Sequence, residues 1–366
     1  MDYGAFTNDI LFVLLYGGVT MLDVVAAVYL LLRRGNAIAP KVTSPVLLRR
    51  WAAVFMLCEA LSHMYWLFYA THPSPSLYVI VCGLDLILLF PTITGVLLSM
   101  LQDRHRPIWP VSAVLAPAVV LLILCVIRGD EALYVPLSVY VITSYALMVL
   151  YMLFAVRHYG RWLRENYADL ENKEVWQSFL ILAVFLLFFV NYSNITGESP
   201  IPAYLMQIVN IILVGLLLWR VETLQQLSES NPMEKGAEPA EDVQKTSAPM
   251  AIPANIGPLL KKFCEDRQLY LQNDLTLSQL AQIIGTNRYY LSQYFAQQDL
   301  TYNAYINNLR ICHFVRLCRE AVAEQRIVTA QQLANESGFR SYSTFSAAFK
   351  QNMGKTVTAW MRDQAE

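Results

Sequence analysis

The chain has 366 residues, 56% of them hydrophobic and 15% charged, with a net charge of -1, a balance too apolar for an ordinary soluble enzyme and opposite to that of a disordered protein. Met1 to Glu222 holds 13 basic and 14 acidic residues, whereas the remaining 144 residues hold 28 charges. Two chemically different pieces are therefore joined in one chain.

In the first piece, seven segments are long enough to cross about 30 Å of hydrocarbon, which takes roughly 20 apolar residues at helical rise. They run from Ile10 to Leu32, Trp51 to Ala70, Leu77 to Leu101, Ile108 to Ile127, Leu133 to Val156, Val175 to Ile195 and Ala203 to Trp219. None contains Lys or Arg, and their acidic residues are Asp23, Glu59 and Asp85. Met1-Asp2-Tyr3 lacks the basic start of a cleavable signal peptide, so the first segment is expected to stay in the mature protein.

Lys and Arg accumulate on the cytoplasmic side of membrane proteins. The first, third and fifth connections carry Arg33, Arg34, Lys41, Arg49, Arg50, Arg104, Arg106, Arg157, Arg161, Arg164 and Lys173, and the others carry only Arg128. This bias predicts an N-terminus outside and a C-terminal piece in the cytoplasm, with the bundle in a bacterial inner membrane. Ionisable residues in apolar helices are costly, so Asp23, Glu59, His63 and Asp85 are candidates for detecting a signal. Glu59 and His63 stand four residues apart on one helical face and fit a shared proton or a polar ligand. The bland alternative is that this set, with Asn191, Asn194 and Asn210, hydrogen-bonds between helices to hold the bundle together.

From about Gln225 to Pro258 the composition turns to Ser, Glu, Ala, Pro and Lys, with Pro232, Pro239, Pro249, Pro253 and Pro258 interrupting any helix. Such a segment is expected to be a disordered tether with an r.m.s. span of roughly 30 Å. The expected domains are thus 1–222 in the membrane, a linker over 223–257, and a soluble domain over 258–366.

The last piece contains an internal repeat. Thr276-Leu277-Ser278-Gln279-Leu280-Ala281 with Gly285 recurs as Thr329-Ala330-Gln331-Gln332-Leu333-Ala334 with Gly338. Each copy predicts a capping box, in which the Thr hydroxyl accepts from the amide three residues on and the Gln side chain returns the bond. Gly then ends the helix, because it tolerates positive φ. Asn287 is placed to cap the next helix in the first copy, with Leu291 and Phe295 as its buried stripe; Phe345 and Phe349 are the equivalent stripe after Ser341 in the second. A short helix, a turn holding Gly and a second helix form the helix-turn-helix arrangement, whose second helix enters the DNA major groove. Two copies, at 275–296 and 328–350, flank an amphipathic segment from about Tyr302 to Ala323.

Here the sequence resembles the AraC/XylS family of bacterial transcription regulators. The resemblance rests on L-T-L-S-Q-L-A-Q-I-I-G-T-N-R-Y-Y-L-S-Q-Y-F from Leu275, Y-I-N-N-L-R from Tyr305 and L-A-N-E-S-G-F-R-S-Y-S-T-F-S-A-A-F-K from Leu333. It covers about Leu259 to Arg362 and departs from the family pattern at Val357, where Pro is usual. It implies two small helical subdomains joined by a long helix, reading successive major-groove segments. The implied base-facing residues are Tyr289, Ser292 and Gln293 in the first motif, with Arg288 beside the phosphates. In the second they are Tyr342, Ser343, Ser346 and Ala347, with Arg340 and Lys350 near the backbone. Gln reads adenine, Ser bonds either way, and Ala reaches only a thymine methyl. Asn255 to Glu366 carries 12 basic and 9 acidic residues, so non-specific attraction to DNA is modest.

Enzyme, cofactor and metal readings find no motif. The six cysteines form no C-x-x-C pair, no phosphate loop or nucleophile elbow is present, and the seventh segment lacks a Lys for a retinal Schiff base. His63 is the one histidine within a spanning window, which argues against a bis-histidine haem. The expected fold is therefore all-α, a seven-helix bundle followed by a tandem helix-turn-helix domain. The expected function is a membrane-bound one-component transcription regulator whose partners are promoter DNA, the lipid bilayer, RNA polymerase, an unidentified signal ligand and a second copy of itself. A flexible tether transmits no rotation, so the favoured coupling is proximity, in which bundle dimerisation raises the effective concentration of two DNA-binding domains, with cleavage in the linker and masking of the recognition helices at the membrane surface as the alternatives. The rival readings are a transporter or channel with a DNA-binding tail, and a membrane scaffold with a protein-binding tail.

Overall fold

The computed structural model describes residues 9–33, 35–40, 42–128, 133–176, 181, 201–227 and 255–365. The described elements are all helical, and the chain divides into two compact units. The first comprises Met1–Tyr159 and Glu174–Leu227, and the second Gly160–Lys173 and Ser228–Glu366.

The first unit contains α1 (Ile10–Leu32), α2 (Val46–Thr71), α3 (Pro75–Ser99), α4 (Trp109–Arg128), most of α5 (Tyr134–Asn166) and α6 (Ile201–Thr223). Among the described residues these 6 helices are long and apolar enough to cross a membrane. The remaining expected span, Val175 to Ile195, lies almost wholly outside the described residues, as do Asn191 and Asn194. Helix starts follow local chemistry: Asp9 caps α1 by accepting from the Leu11 amide at 3.0 Å, and Ser74 caps α3 by accepting from Leu77 at 3.2 Å. Pro75 at the start of α3 needs no amide partner. Small residues admit close helix packing in an apolar solvent. Gly95 of α3 leaves room for the Trp51 indole of α2, since a Cβ there would stand 2.5 Å from the ring.

The outer faces stay apolar, with Ile10 73%, Leu32 78% and Ile127 75% exposed. A water-soluble unit would not leave such large side chains uncovered along helix after helix, whereas hydrocarbon chains are their natural solvent. The end of α6 is tied to the connection after α1. Glu222 accepts from the amides of Ala37 at 2.9 Å and Ile38 at 2.8 Å and from the Tyr29 hydroxyl. Asn36 donates to the Glu222 carbonyl at 2.9 Å and accepts from Arg49 at 2.6 Å. The chain beyond α6 is also held, because Gln226 donates to the Thr43 carbonyl at 2.7 Å and Leu227 to the Gln102 side chain at 2.8 Å. The expected linker over 223–257 thus begins with paired residues, and its span from 228 to 254 lies outside the described residues.

In the second unit, α7 (Ile256–Leu260) runs into a π-helical turn at Lys261–Glu265 and a 3₁₀ turn at Leu269–Leu271. Then come α8 (Leu277–Ile284), α9 (Arg288–Gln297), the long α10 (Tyr302–Ala323), α11 (Ala330–Glu336), α12 (Tyr342–Met353) and α13 (Val357–Ala365). Two cores result. One gathers Leu280, Ile284, Leu291, Phe295, Tyr302 and Ile306; the other gathers Phe314, Leu333, Phe339, Phe345, Phe349 and Trp360. Val357, where the family pattern has Pro, is itself 2% exposed in the second core. Its loss of proline rigidity is offset by an apolar side chain, and Thr356 still accepts from the Ala359 amide at 3.3 Å.

Candidate functional site

The first motif forms as its sequence dictates. Thr276 accepts from the Gln279 amide at 3.2 Å while the Gln279 side chain accepts from the Thr276 amide at 2.9 Å. Gly285 closes α8 at φ 75°, and Asn287 caps α9 by accepting from the Tyr289 amide at 2.5 Å. The second motif departs from expectation at one bond. Thr329 accepts from Gln332 at 3.2 Å, but the Gln332 side chain donates to Glu336 at 3.1 Å rather than returning to the cap. The Glu336 carboxylate one turn on accepts from that side chain in a charge-assisted bond, whereas the cap offers only an N–H donor to the Gln oxygen. Ser337 takes the C-cap position of α11, and Gly338 follows at φ 86°.

Leu291 and Phe295 of α9, and Phe345 and Phe349 of α12, are buried. The opposite faces hold the residues that the resemblance marks for DNA. Tyr289, Ser343, Ala347 and Lys350 are exposed, and Arg288, Ser292, Gln293, Arg340, Tyr342 and Ser346 are half-buried. Both second helices thus present polar faces on apolar footings. Gln293 donates to the Tyr289 hydroxyl at 2.6 Å, which holds its amide in place before any ligand arrives. Arg340 lies 3.5 Å from Asp274 and 4.0 Å from Asp169.

Several residues absent from the sequence reading hold the two motifs together. Arg310 of α10 is 1% exposed. It donates to the Tyr270 carbonyl at 2.7 Å and to those of Gln272 at 2.7 Å and Asn273 at 3.4 Å. Its guanidinium also lies 5.6 Å from the Phe339 ring centroid, so one side chain touches both subdomains. Burial lowers its proton affinity, and the carbonyl acceptors satisfy the charge that remains. The Y-I-N-N-L-R stretch ends on this residue, and a charge on the apolar side of an amphipathic helix was the available signal.

His313 of α10 accepts at Nδ1 from the Tyr270 hydroxyl at 3.0 Å and from Arg316 at 3.2 Å. Arg can only donate, so the ring is neutral with its proton on Nε2. Burial, aided by the Arg316 charge, lowers its pKa below the ordinary imidazole value. On acidification the unfolded chain therefore takes up this proton before the folded one. The stability tied to His313 is full above the ordinary imidazole pKa and is lost as pH falls through it toward the depressed folded value. The protection factors of the Tyr270–Gln272 amides, corrected for the intrinsic pH dependence of exchange, should fall between about pH 7.5 and 5.5 in the native protein, and less so in His313→Gln.

The polar residues of the first unit fall into two groups. Asp23 of α1 is fully buried, with His63 Nδ1 at 3.5 Å and Asn210 Nδ2 at 3.4 Å from Oδ2. Glu59 is buried one turn from His63, and its Oε1 accepts no hydrogen bond. Asp85 lies in a separate group, accepting from Ser62 at 2.6 Å, from Trp66 at 2.7 Å and from the Tyr65 hydroxyl. The expected Glu59–His63 pair is thus an Asp23–His63–Asn210 contact with Glu59 beside it. Gln207 Oε1 and Asn210 Oδ1 on α6 are also buried without a hydrogen bond. Together these leave acceptors facing the interior in excess of donors, an arrangement suited to a proton or a small donor-rich ligand.

Residues 280–363 match the model of a family described as a helix-turn-helix domain, which supports an AraC-type DNA-binding region. The match begins within α8 and ends within α13, so it covers most of the first motif and all of the second and leaves the first unit unassigned. Comparison with the curated proteins found no match, and comparison with the solved structures found none. The chain is therefore one whose C-terminal unit is of a DNA-binding, transcription-regulating type, carried behind helices that are candidates to span a membrane.

Proposed function

We propose that the chain is a one-component transcription regulator resident in a bacterial inner membrane, with its N-terminus outside and its tandem helix-turn-helix unit in the cytoplasm. The observation that carries this reading is the pairing of α9 and α12. Each is seated on a buried aromatic stripe and offers a polar outer face, and both stand on one chain with helices of membrane-spanning length. The basic residues of the first, third and fifth connections support the orientation. The signal enters through Asp23, Glu59, His63 and Asp85, and promoter DNA is met by Arg288, Tyr289, Ser292, Gln293, Arg340, Tyr342, Ser343, Ser346, Ala347 and Lys350. RNA polymerase and a second copy of the chain are the further partners of such a regulator.

Crosslinking and sequencing of DNA bound to the full-length membrane-resident protein tests the reading. Discrete promoter peaks, lost in Gln293→Ala/Ser346→Ala, are expected. Their absence would favour a scaffold, and solute flux in proteoliposomes would favour a transporter with a regulatory tail. In vitro, Arg288→Ala should weaken binding to every sequence and lower the salt slope by about 1, while Gln293→Ala should relax preference at one base by about 1–3 kcal/mol. Glu59→Gln and His63→Ala should leave promoter occupancy intact without signal and abolish its change with signal; an unaltered response would remove the sensory assignment.

A further inference from the structure

The second unit includes a piece of chain that is distant in sequence, the connection that follows α5. Its residues Tyr167 to Lys173 lie along the start of the first motif. Tyr167 pairs with Thr276 in an isolated antiparallel bridge, and the Ala168 amide donates to the Leu275 carbonyl at 3.3 Å. Asn303, in the first turn of α10, donates through Nδ2 to the Ala168 carbonyl at 2.7 Å and to that of Tyr167 at 3.3 Å. Ala168 is 1% exposed and belongs to the core that holds Leu280, Leu291 and Phe295. Lys173 reaches Asp274 at 3.5 Å. A backbone bridge, a side-chain clamp on two successive carbonyls and a buried methyl group make this a seated segment rather than a passing one.

The next residue touches the second motif. Asp169 is 3% exposed, accepts from the Glu171 amide at 3.0 Å, and stands 4.0 Å from the Arg340 guanidinium. Asp274, held by Lys173 of the same connection, is 3.5 Å from that guanidinium. Arg340 immediately precedes Ser341, the N-cap of α12, so it stands at the helix end where phosphate is met. Two carboxylates on that group satisfy it internally and place negative charge where a phosphate would come.

We infer that the connection Tyr167–Lys173 is an intramolecular ligand of the DNA-binding unit: seated on Leu275, Thr276 and Asn303, it withholds Arg340 from DNA, and its displacement is the step that switches the unit to tight binding. The inference rests on the regulator reading above and names its switch. Because the connection is the direct continuation of α5, a change in that helix reaches the DNA-binding unit without passing through the long tether.

The test uses the full-length chain in lipid nanodiscs with a promoter fragment recovered by crosslinking. Asp169→Asn keeps the bond to Glu171 and removes one of the two carboxylates from Arg340; a phosphate contact regained there should raise affinity up to about fivefold near physiological salt and steepen the salt slope by up to about 0.9. Asn303→Ala lies away from Arg340, so a comparable rise there reports displacement of the whole connection. Glu171→Gln removes the same charge from the same connection and should leave affinity at the native value. Hydrogen exchange supplies a readout independent of DNA: the Ala168 amide should be protected in the native chain and lose protection in Asn303→Ala. Unchanged or weakened binding in both Asp169→Asn and Asn303→Ala, with the native chain binding normally, would overturn the switch and leave the regulator standing. An unprotected Ala168 amide would overturn the seating, and no DNA binding by any form would overturn the regulator reading and the switch with it.

Discussion

Gly338→Ala is expected to destabilise the DNA-binding unit by about 3 kcal/mol and to abolish sequence-specific binding. Two costs add at this position. Its φ of 86° is strained for any side chain, and a Cβ would stand 2.7 Å from both Cα and the carbonyl oxygen of Leu271. Backbone cannot swing aside as a side-chain tip can. The turn of the second motif would have to separate from the 3₁₀ turn of the first, taking Arg310 off its acceptors. Gly285→Ala is the internal control: its φ is 75°, yet nothing lies within 4 Å of the added methyl, so it should cost only about 1–2 kcal/mol. Native-state hydrogen exchange at Phe345 and Phe349 measures the difference. Equal costs at the two glycines would mean that the motifs do not press on each other at Leu271.

Arg310→Met should cost about 3–5 kcal/mol, because it strands the carbonyls of Tyr270, Gln272 and Asn273 in a site where the guanidinium was their donor. The methionine fills most of the volume, so the loss is polar rather than a cavity effect. Arg310→Lys should recover part of it, since one ammonium cannot copy the planar fork that reaches separate carbonyls. Denaturant titration followed by loss of promoter binding orders the three proteins. If Met were as stable as Arg, the bonds of Arg310 to these carbonyls would contribute nothing to holding the subdomains together.

Much of the second unit was legible in the chain because its signals are local. Thr276, Asn287, Thr329 and Ser341 act within three residues of themselves, and Leu291, Phe295, Phe345 and Phe349 follow the helical period. The apolar helices were equally plain, since one long run of hydrophobic side chains needs no partner to be recognised. What could not be read depends on residues far apart. Asn303 meets Ala168 across 135 positions, and Gly338 meets Leu271 through bare backbone. The Gln332 side chain had a donor at the cap and an acceptor at Glu336 in reach, and sequence pattern did not say that Glu336 would win. Asp23, Glu59, His63 and Asp85 were picked out by their cost in an apolar run, but only the packing of α1, α2 and α6 sorts Asp85 from the others.

The Pro-rich tether had made proximity the favoured way to couple the two pieces, since a slack chain passes on no torque. Under the proposed switch the connection after α5 changes that argument, because it is a second and shorter path into the DNA-binding unit. Both can operate in one molecule.

The 22 residues of α10 make a rod of about 33 Å, close to one turn of duplex DNA, about 34 Å. On the proposed reading its two ends carry unlike readers, Gln293 with its amide already held by Tyr289 at one and the small Ala347 at the other. A single chain of this kind is a ruler with a marked end. On the proposed reading its operator needs no palindrome and has a polarity, so reversing the site in place changes the instruction even when every base pair is retained.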